Sequence, residues 1–315
     1  MSIAKLNYNF GYIINNNVIN IGMNRMLQWV LAATLTICGA SVFVACSNDD
    51  NPVAPQDKPL PKVSKIYCSS VVKAERKVDG QWATIHEQVN ERTLVYDFQW
   101  TGDRLESIQS TERSMVLTYD DNQHIINARL NGTRLNYAYE YDAQGRLARM
   151  VKTMPFDDTI DHIYYTTFFY NGDKLVKTEE TNEFSKEKEP NPTSSAKEVT
   201  SFEWQGDNVV SKTIEKDLYN GSHTTVNYSY EYTTLLNPFY NDILLLTGVY
   251  SVGAFDDGLA ISKNLAKTMT IGSTVYYYEY TTVGDRVVSI ITDNTAETPV
   301  MRATTHSVYD LEYAK

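Results

Sequence analysis

The chain has 315 residues, with 28 Lys and Arg against 39 Asp and Glu, 42% hydrophobic residues and 23 tyrosines. This acidity excludes a body built to hold phosphate backbones, so no nucleic-acid partner is expected. Three cysteines in this length exclude a disulfide framework, and the hydrophobic content excludes a disordered chain.

The first 22 residues include a polar, Asn-rich stretch, NYNFGYIINNNVIN, that has no part in export physics. Met23 or Met26 is therefore the expected start, and residues 1–22 are expected to lie upstream of it. From Trp29 to Ala45 the sequence is uncharged, follows Arg25, and ends in the small residues Ala45 and Cys46. That order matches the n-region, apolar core and cleavage site of an export signal over 23–45. The run is shorter than the roughly 20 apolar residues a spanning helix needs, and Ser47-Asn48-Asp49-Asp50 follows it instead of a basic flank. Export with cleavage is expected, leaving 315 − 45 = 270 residues with 28 − 2 = 26 basic against 39 acidic side chains, a formal charge of −13.

Phe43-Val44-Ala45-Cys46 resembles a bacterial lipobox, in which a small residue precedes a Cys that carries lipid. Phe43 departs from the usual Leu or Val. Cys46 is thus the expected lipid-attachment residue and mature N-terminus, and the membrane is a partner through that anchor. Residues 46–64 follow as an acidic tether with Pro52, Pro55, Pro59 and Pro61, which favour extended polyproline conformations over packing. The acidic residues after the Cys resemble the surface-export signal of Bacteroidetes lipoproteins, which implies an outer-membrane anchor and admits an orientation facing the cell exterior. Cys38 leaves with the signal and Cys46 takes lipid, so Cys68 has no intrachain partner.

From residue 65 to 315 a single β domain is expected. The chain repeats alternating aromatics, a Gly-Asp or Asp/Asn turn, and a Leu or Val. Copies are Tyr96-x-Phe98-x-Trp100 with Gly102-Asp103, Tyr137-x-Tyr139-x-Tyr141 with Gly145, and Phe168-x-Tyr170 with Gly172-Asp173. Later copies are Phe202-x-Trp204 with Gly206-Asp207 and Tyr276-x-Tyr278-x-Tyr280 with Gly284-Asp285; Tyr228-x-Tyr230-x-Tyr232 has the strand half and no turn. A period of two marks strands with one buried face, and glycine supplies the positive φ of a tight hairpin. Chained hairpins without crossover helices predict an antiparallel β-meander, strongly twisted and curled or barrel-like. One interval breaks the rhythm. Leu235, Phe239, Ile243 and Leu246 fall at helical spacing, predicting one short helix after Pro238, near 238–246, then a loop through Asp256-Asp257-Gly258, able to plug one end of the sheet.

The Gly-Asp-x-Leu hairpins, the Asn237-Pro238-Phe239 step and Ser262-Lys263-Asn264-Leu265-x-Lys267 together resemble a family of secreted Bacteroidetes lipoproteins of unknown function, described as having a porin-like fold. The resemblance covers about 65–315. It implies that fold and an envelope address, and it brings no catalytic residues.

No G-x-S-x-G elbow, H-E-x-x-H pair or Walker loop is present. His86, His124, His162, His223 and His306 are scattered, so neither metal nor cofactor is expected. Asp157-Asp158-Thr159-Ile160-Asp161-His162 offers oxygen ligands but lacks the glycine and terminal Glu of a calcium loop, and reads as a hairpin tip. Cys68 reads as a small buried hydrophobe. Glu140, Glu203, Glu231 and Glu279 alternate with tyrosines and point to the opposite face, while the tyrosine rows are expected to be core. The reading that follows is a non-enzymatic envelope lipoprotein with a binding or scaffold role. A carrier of an apolar ligand inside the curled sheet is the alternative, and a glycan-active enzyme the third. A glycan or an apolar molecule is the expected ligand class. A lipid-spanning barrel is disfavoured because strands alternating Tyr with Glu give no apolar outer band.

Overall fold

The computed structural model of the protein describes residues 62–111, 113–253 and 255–314. The signal, Cys46 and all but the last residues of the tether lie outside them. Sixteen strands follow one another: β1 (Val63–Val78), β2 (Gln81–Thr101), β3 (Arg104–Gln109), β4 (Ser114–Tyr119), β5 (Ile125–Leu130), β6 (Asn136–Tyr141), β7 (Leu147–Pro155) and β8 (Asp161–Asn171). Then come β9 (Lys174–Phe184), β10 (Ser195–Gln205), β11 (Asn208–Leu218), β12 (His223–Leu236), β13 (Asn264–Ile271), β14 (Thr274–Val283), β15 (Arg286–Glu297) and β16 (Met301–Tyr313). Each pairs antiparallel with its neighbour in sequence, and β16 closes on β1 from Val63↔Tyr313 to Arg76↔Met301. The meander is a closed barrel that leaves no sheet edge exposed. The first strand starts at Val63, two residues before the expected edge of the domain.

The aromatic repeats explain how the barrel is fastened. The last aromatic before each turn has a polar edge, Tyr or Trp, and donates a hydrogen bond to the carbonyl that begins the preceding strand. Trp100 Nε1 donates to Val63 O at 2.9 Å, Tyr119 Oη to Leu105 O at 2.5 Å, Tyr141 Oη to Ile125 O at 2.8 Å and Tyr170 Oη to Leu147 O at 3.0 Å. The series continues with Trp204 to Leu175 O, Tyr232 to Val209 O, Tyr280 to Ala266 O and Tyr313 to Val287 O. It runs around the whole circumference. The cation after a turn covers the next ring of the series: Arg104 lies over Tyr119, Arg146 over Tyr170, Lys174 over Trp204 and Arg286 over Tyr313, between 4.6 and 5.6 Å from the ring centres. Gly102 and Gly172 sit at φ +58°, the left-handed conformation these two-residue hairpins require.

These turns, Lys62 and the C-terminal end of β16 share one end of the barrel, where Lys62 bonds Gly102 O and Asp103 and Ala314 N donates to Lys62 O. Residues 237–263, between β12 and β13, fold into the barrel at that end as a plug. The plug contains two helical turns, α1 (Ile243–Leu246) and α2 (Asp257–Ala260), where one helix was expected. Leu235 belongs to β12, so the apparent helical spacing begins too early. Asp242 caps α1 by accepting from Leu244 N and Leu245 N, and Gly248 at φ +70° ends that turn. The expected loop through Asp256-Asp257-Gly258 is instead the start of α2, because Asp256 accepts from Leu259 N as its cap. Buried Asn237 anchors the segment by donating to Leu259 O and Ser262 O.

Candidate functional site: the two halves of the lumen

The tyrosine rows face inward and meet the plug on opposite sides of the barrel. Tyr139, Tyr230 and Tyr278 are 4%, 6% and 4% exposed, as expected for core. Tyr139 Oη bonds Thr247 Oγ1 at 3.0 Å, and Tyr137 Oη donates to Gly248 O. Tyr96 and Phe98 of β2 pack edge-on against Tyr250, and Tyr278 of β14 packs edge-on against Phe255. Gly253 and Gly258 permit close approaches: a Cβ would lie 2.7 Å from the Tyr309 ring at the first and 2.8 Å from the Tyr230 hydroxyl at the second. Burial drives the Tyr139, Tyr230 and Tyr278 hydroxyls well above their ordinary pKa.

One buried charge cluster joins plug to wall. Lys212 of β11 is 2% exposed, and its Nζ lies 2.6 Å from Asp256 Oδ2 and 2.7 Å from Asp257 Oδ1. The ammonium also stands over the Tyr228 ring at 3.8 Å, and Tyr230 Oη donates to Asp256 Oδ2 at 2.7 Å. Burial alone would lower the Lys212 pKa, but the two carboxylates outweigh it and hold the ammonium charged. Asp242, half-buried, receives Tyr250 Oη at 2.5 Å and two backbone N–H groups; burial nevertheless raises its carboxyl pKa.

Away from the plug the inward face changes character on β7 to β11. One cross-strand row runs Lys152, Tyr164, Asn182, and a second runs Thr166, Glu180, Glu198, Lys216. Lys216 Nζ pairs with Glu198 Oε2 at 2.6 Å, and Thr166 Oγ1 donates to Glu180 Oε2 at 3.0 Å. His162 is held by Tyr164 Oη at Nδ1 (2.9 Å) and Asn182 Oδ1 at Nε2 (2.8 Å), and it stacks on Phe184. Thr166 is buried and the other side chains of these rows are half-buried. Burial, then the Glu198 charge, raises the Glu180 pKa; burial lowers that of Lys152 against the pull of Glu180, and burial lowers that of His162. Strands about 4.8 Å apart, sixteen in number and tilted by about 40°, enclose a circular section of roughly 16 Å backbone radius, too wide for wall side chains alone to fill.

At the mouth opposite the plug, Arg113, Arg129 and Arg134 share a hollow of about 560 Å³ with Phe156, Asp157 and Asp158. The segment 157–161 is the β7–β8 tip the sequence indicates. Asp157 Oδ1 accepts from Thr159 N and Ile160 N, and Arg134 bonds the Asp157 and Asp158 carbonyls and the Asp161 carboxylate. His162, the last member of that cluster in sequence, instead points into the lumen.

The other sequence candidates do not converge. Glu140, Glu203, Glu231 and Glu279 are exposed on the outer face. Outward positions on β9 to β12 include Lys177, Glu179, Glu183, Lys197, Glu203, Glu215 and Glu231, which interrupt any apolar girdle. Cys68 is a buried free thiol beside Tyr309, and its burial raises its pKa. His124 bonds Asp120, His223 bonds Asp217 and His306 bonds Asp293, each on its own part of the wall. Among the described residues no three His, Cys, Asp or Glu side chains gather as a metal would need, and no helix is long and apolar enough to cross a membrane. Sequence reasoning did not single out Lys152, Glu180, Glu198 or Lys216. The signal for Glu180, Glu198 and Lys216 is the largely polar run on both faces in the parts of β9 to β11 away from the plug; Lys152, on β7 between Val151 and Thr153, has none.

No protein-family model and no curated protein matches the chain. Among solved structures, a porin-like protein from Bacteroides vulgatus ATCC 8482 is 13% identical, with 81% of this chain and 99% of that chain covered and a TM-score of 0.44. A porin-like protein from Bacteroides uniformis ATCC 8492 is 13% identical, covering 81% and 98%, also with a TM-score of 0.44.

Proposed function

We propose that this chain is a lipid-anchored envelope protein with a non-enzymatic binding role, holding a polar ligand in the open half of its lumen. The observation that carries this reading is the division of the interior: an apolar half filled by the chain's own plug, and a half lined by hydrogen-bonding side chains. A carrier of an apolar ligand fits less well, since the plug occupies the apolar volume such a ligand would use. The outer face, charged on successive strands, supports a barrel standing in water, because a lipid-spanning wall needs an apolar band about 25 Å tall.

The anchor at Cys46 would also orient the barrel. The chain enters at the plugged end, and the 15 residues from 47 to 61 reach at most about 50 Å when extended. The plugged end then faces the membrane and the open mouth faces away. An Asn182→Cys variant tests the open lumen: the folded protein should react with a small hydrophilic maleimide as readily as an exposed thiol. Protection until urea unfolds the protein would overturn the reading.

A further inference from the structure

We infer that the ligand of the open half is a neutral, polyhydroxylated chain, an oligosaccharide; this rests on the lumen reading above. The two inward rows carry two ammonium groups, Lys152 and Lys216, and two carboxyl groups, Glu180 and Glu198, which stand side by side between them. Two cations against two carboxyls give this wall no net attraction for a highly charged ligand of either sign. What it does present is hydrogen-bonding capacity beyond its internal pairs: Glu180 and Glu198 bond Thr166 and Lys216 through one carboxylate oxygen each and have a second, and the Lys216 ammonium has three N–H donors. A hydroxyl is both donor and acceptor, so a ligand bearing one on almost every carbon meets such a wall in any local register.

The apolar element of the wall points the same way. Tyr164, His162, Phe184 and Phe156 form an aromatic strip, with successive ring centres 4.2, 4.4 and 5.4 Å apart. Such a strip suits the C–H face of a sugar ring; an acyl chain would extend from it over Glu180 and Glu198, which bond Thr166 and Lys216 through one oxygen each, and strip the water from their second oxygens, which is costly. The rings are also braced before any ligand arrives, because His162 is bonded at both nitrogens by Tyr164 and Asn182. A braced site loses less side-chain entropy on binding. The plug closes the far end, so a sugar chain entering the mouth would meet this wall and stop, without passing through.

The experiment uses the full mature chain on a glycan array spanning neutral and uronic-acid oligosaccharides, followed by calorimetry with the strongest neutral binder. A neutral hexapeptide and laurate serve as contrasting probes. The expected result is saturable binding of a neutral oligosaccharide, weakened tenfold or more by Glu180→Gln and by Tyr164→Phe. Glu179→Gln, one residue away on the outer face, should leave it unchanged. Circular dichroism checks that each variant keeps the wild-type fold, and both changes are nearly isosteric. Binding of no neutral glycan, binding of only the peptide or laurate, or equal affinity in Glu180→Gln and wild type would each overturn the proposal. If Asn182→Cys is nevertheless freely labelled, the open-lumen reading stands and the ligand class alone falls.

Discussion

Lys212→Met is the sharpest test of how the plug is held. The change keeps the length of the side chain and removes an ammonium that lies 2.6 and 2.7 Å from two carboxylates, in a position 2% exposed. Asp256 and Asp257 would then face each other without a counter-charge, keeping the neutral donors Tyr230 Oη and Leu259 N at Asp256 and Gly258 N at Asp257. Breaking a buried pair by removing one partner costs about 3 to 5 kcal/mol, chiefly for the stranded charge. With a urea dependence of about 3 kcal/mol per molar for a chain of this size, the midpoint should fall by roughly 1 to 1.7 M. Near-ultraviolet circular dichroism follows the buried tyrosines through this transition. Adding Asp256→Asn and Asp257→Asn to Lys212→Met should recover much of the loss, since Asn still caps α2 and no charge remains. Limited proteolysis should cut within 237–263 in the single variant before any strand is cut. A midpoint within about 0.3 M of wild type, or a triple variant no better than the single, would refute the claim that this cluster pins the plug.

Truncating Tyr139, Tyr230 or Tyr278 to Ala should each cost about 3 to 5 kcal/mol in urea unfolding, whereas Tyr277→Ala, 55% exposed on the other face, should stay within roughly half a kcal/mol. Asp242→Ala should cost about 2 to 4 kcal/mol by removing a cap and the partner of Tyr250, while Asp242→Asn, which keeps the cap and sheds a buried charge, should lie near wild type. Because the Asp242 carboxyl is raised above its unfolded value, its contribution favours the folded state as pH falls through the raised value, and Asp242→Asn should flatten that part of the stability profile. Tyr141→Phe and Tyr280→Phe should each cost about 1 kcal/mol, with both combined close to additive because the two bonds are on different hairpins. Cys46→Ala should abolish metabolic labelling by a fatty-acid analogue; equal labelling of both proteins would sink the anchor at that residue.

The strands and turns were legible because each hairpin is specified locally. Tyr137-x-Tyr139-x-Tyr141 buries one face and Gly145 supplies the turn, so period and punctuation agree within ten residues. Closure was not legible, since it rests on Val63 meeting Tyr313, and a pairing of such separation leaves no mark in a local window. The plug was half legible: its place was indicated by the broken rhythm, but turns of four residues such as Ile243–Leu246 depend on caps and tertiary burial more than on periodicity. The polar wall escaped notice for a different reason. Glu180 and Lys216 stand between outward residues that are also polar, and Lys152 and Glu198 each have an outward valine beside them, so no contrast between faces assigned them to the inside.

That lack of contrast bears on how the fold is stabilised. On β3 to β6 the strands are only six residues long, and their inward residues Ile108, Met115, Ala128, Leu130 and Tyr137 are all buried. On β8 to β11 the strands are eleven residues long, and the additional length carries the polar rows. The added residues contribute ladder hydrogen bonds and ion pairs exposed to water, which are worth little net free energy, and they bury little apolar surface. A barrel selected for stability alone would gain little by extending these strands past the plug. Their length is instead what places Tyr164, Glu180 and Lys216 beyond the apolar half and in front of the mouth. The extension therefore fits the proposed binding role, and the ring of Tyr and Trp hydrogen bonds around the plugged end supplies the rigid base from which it projects.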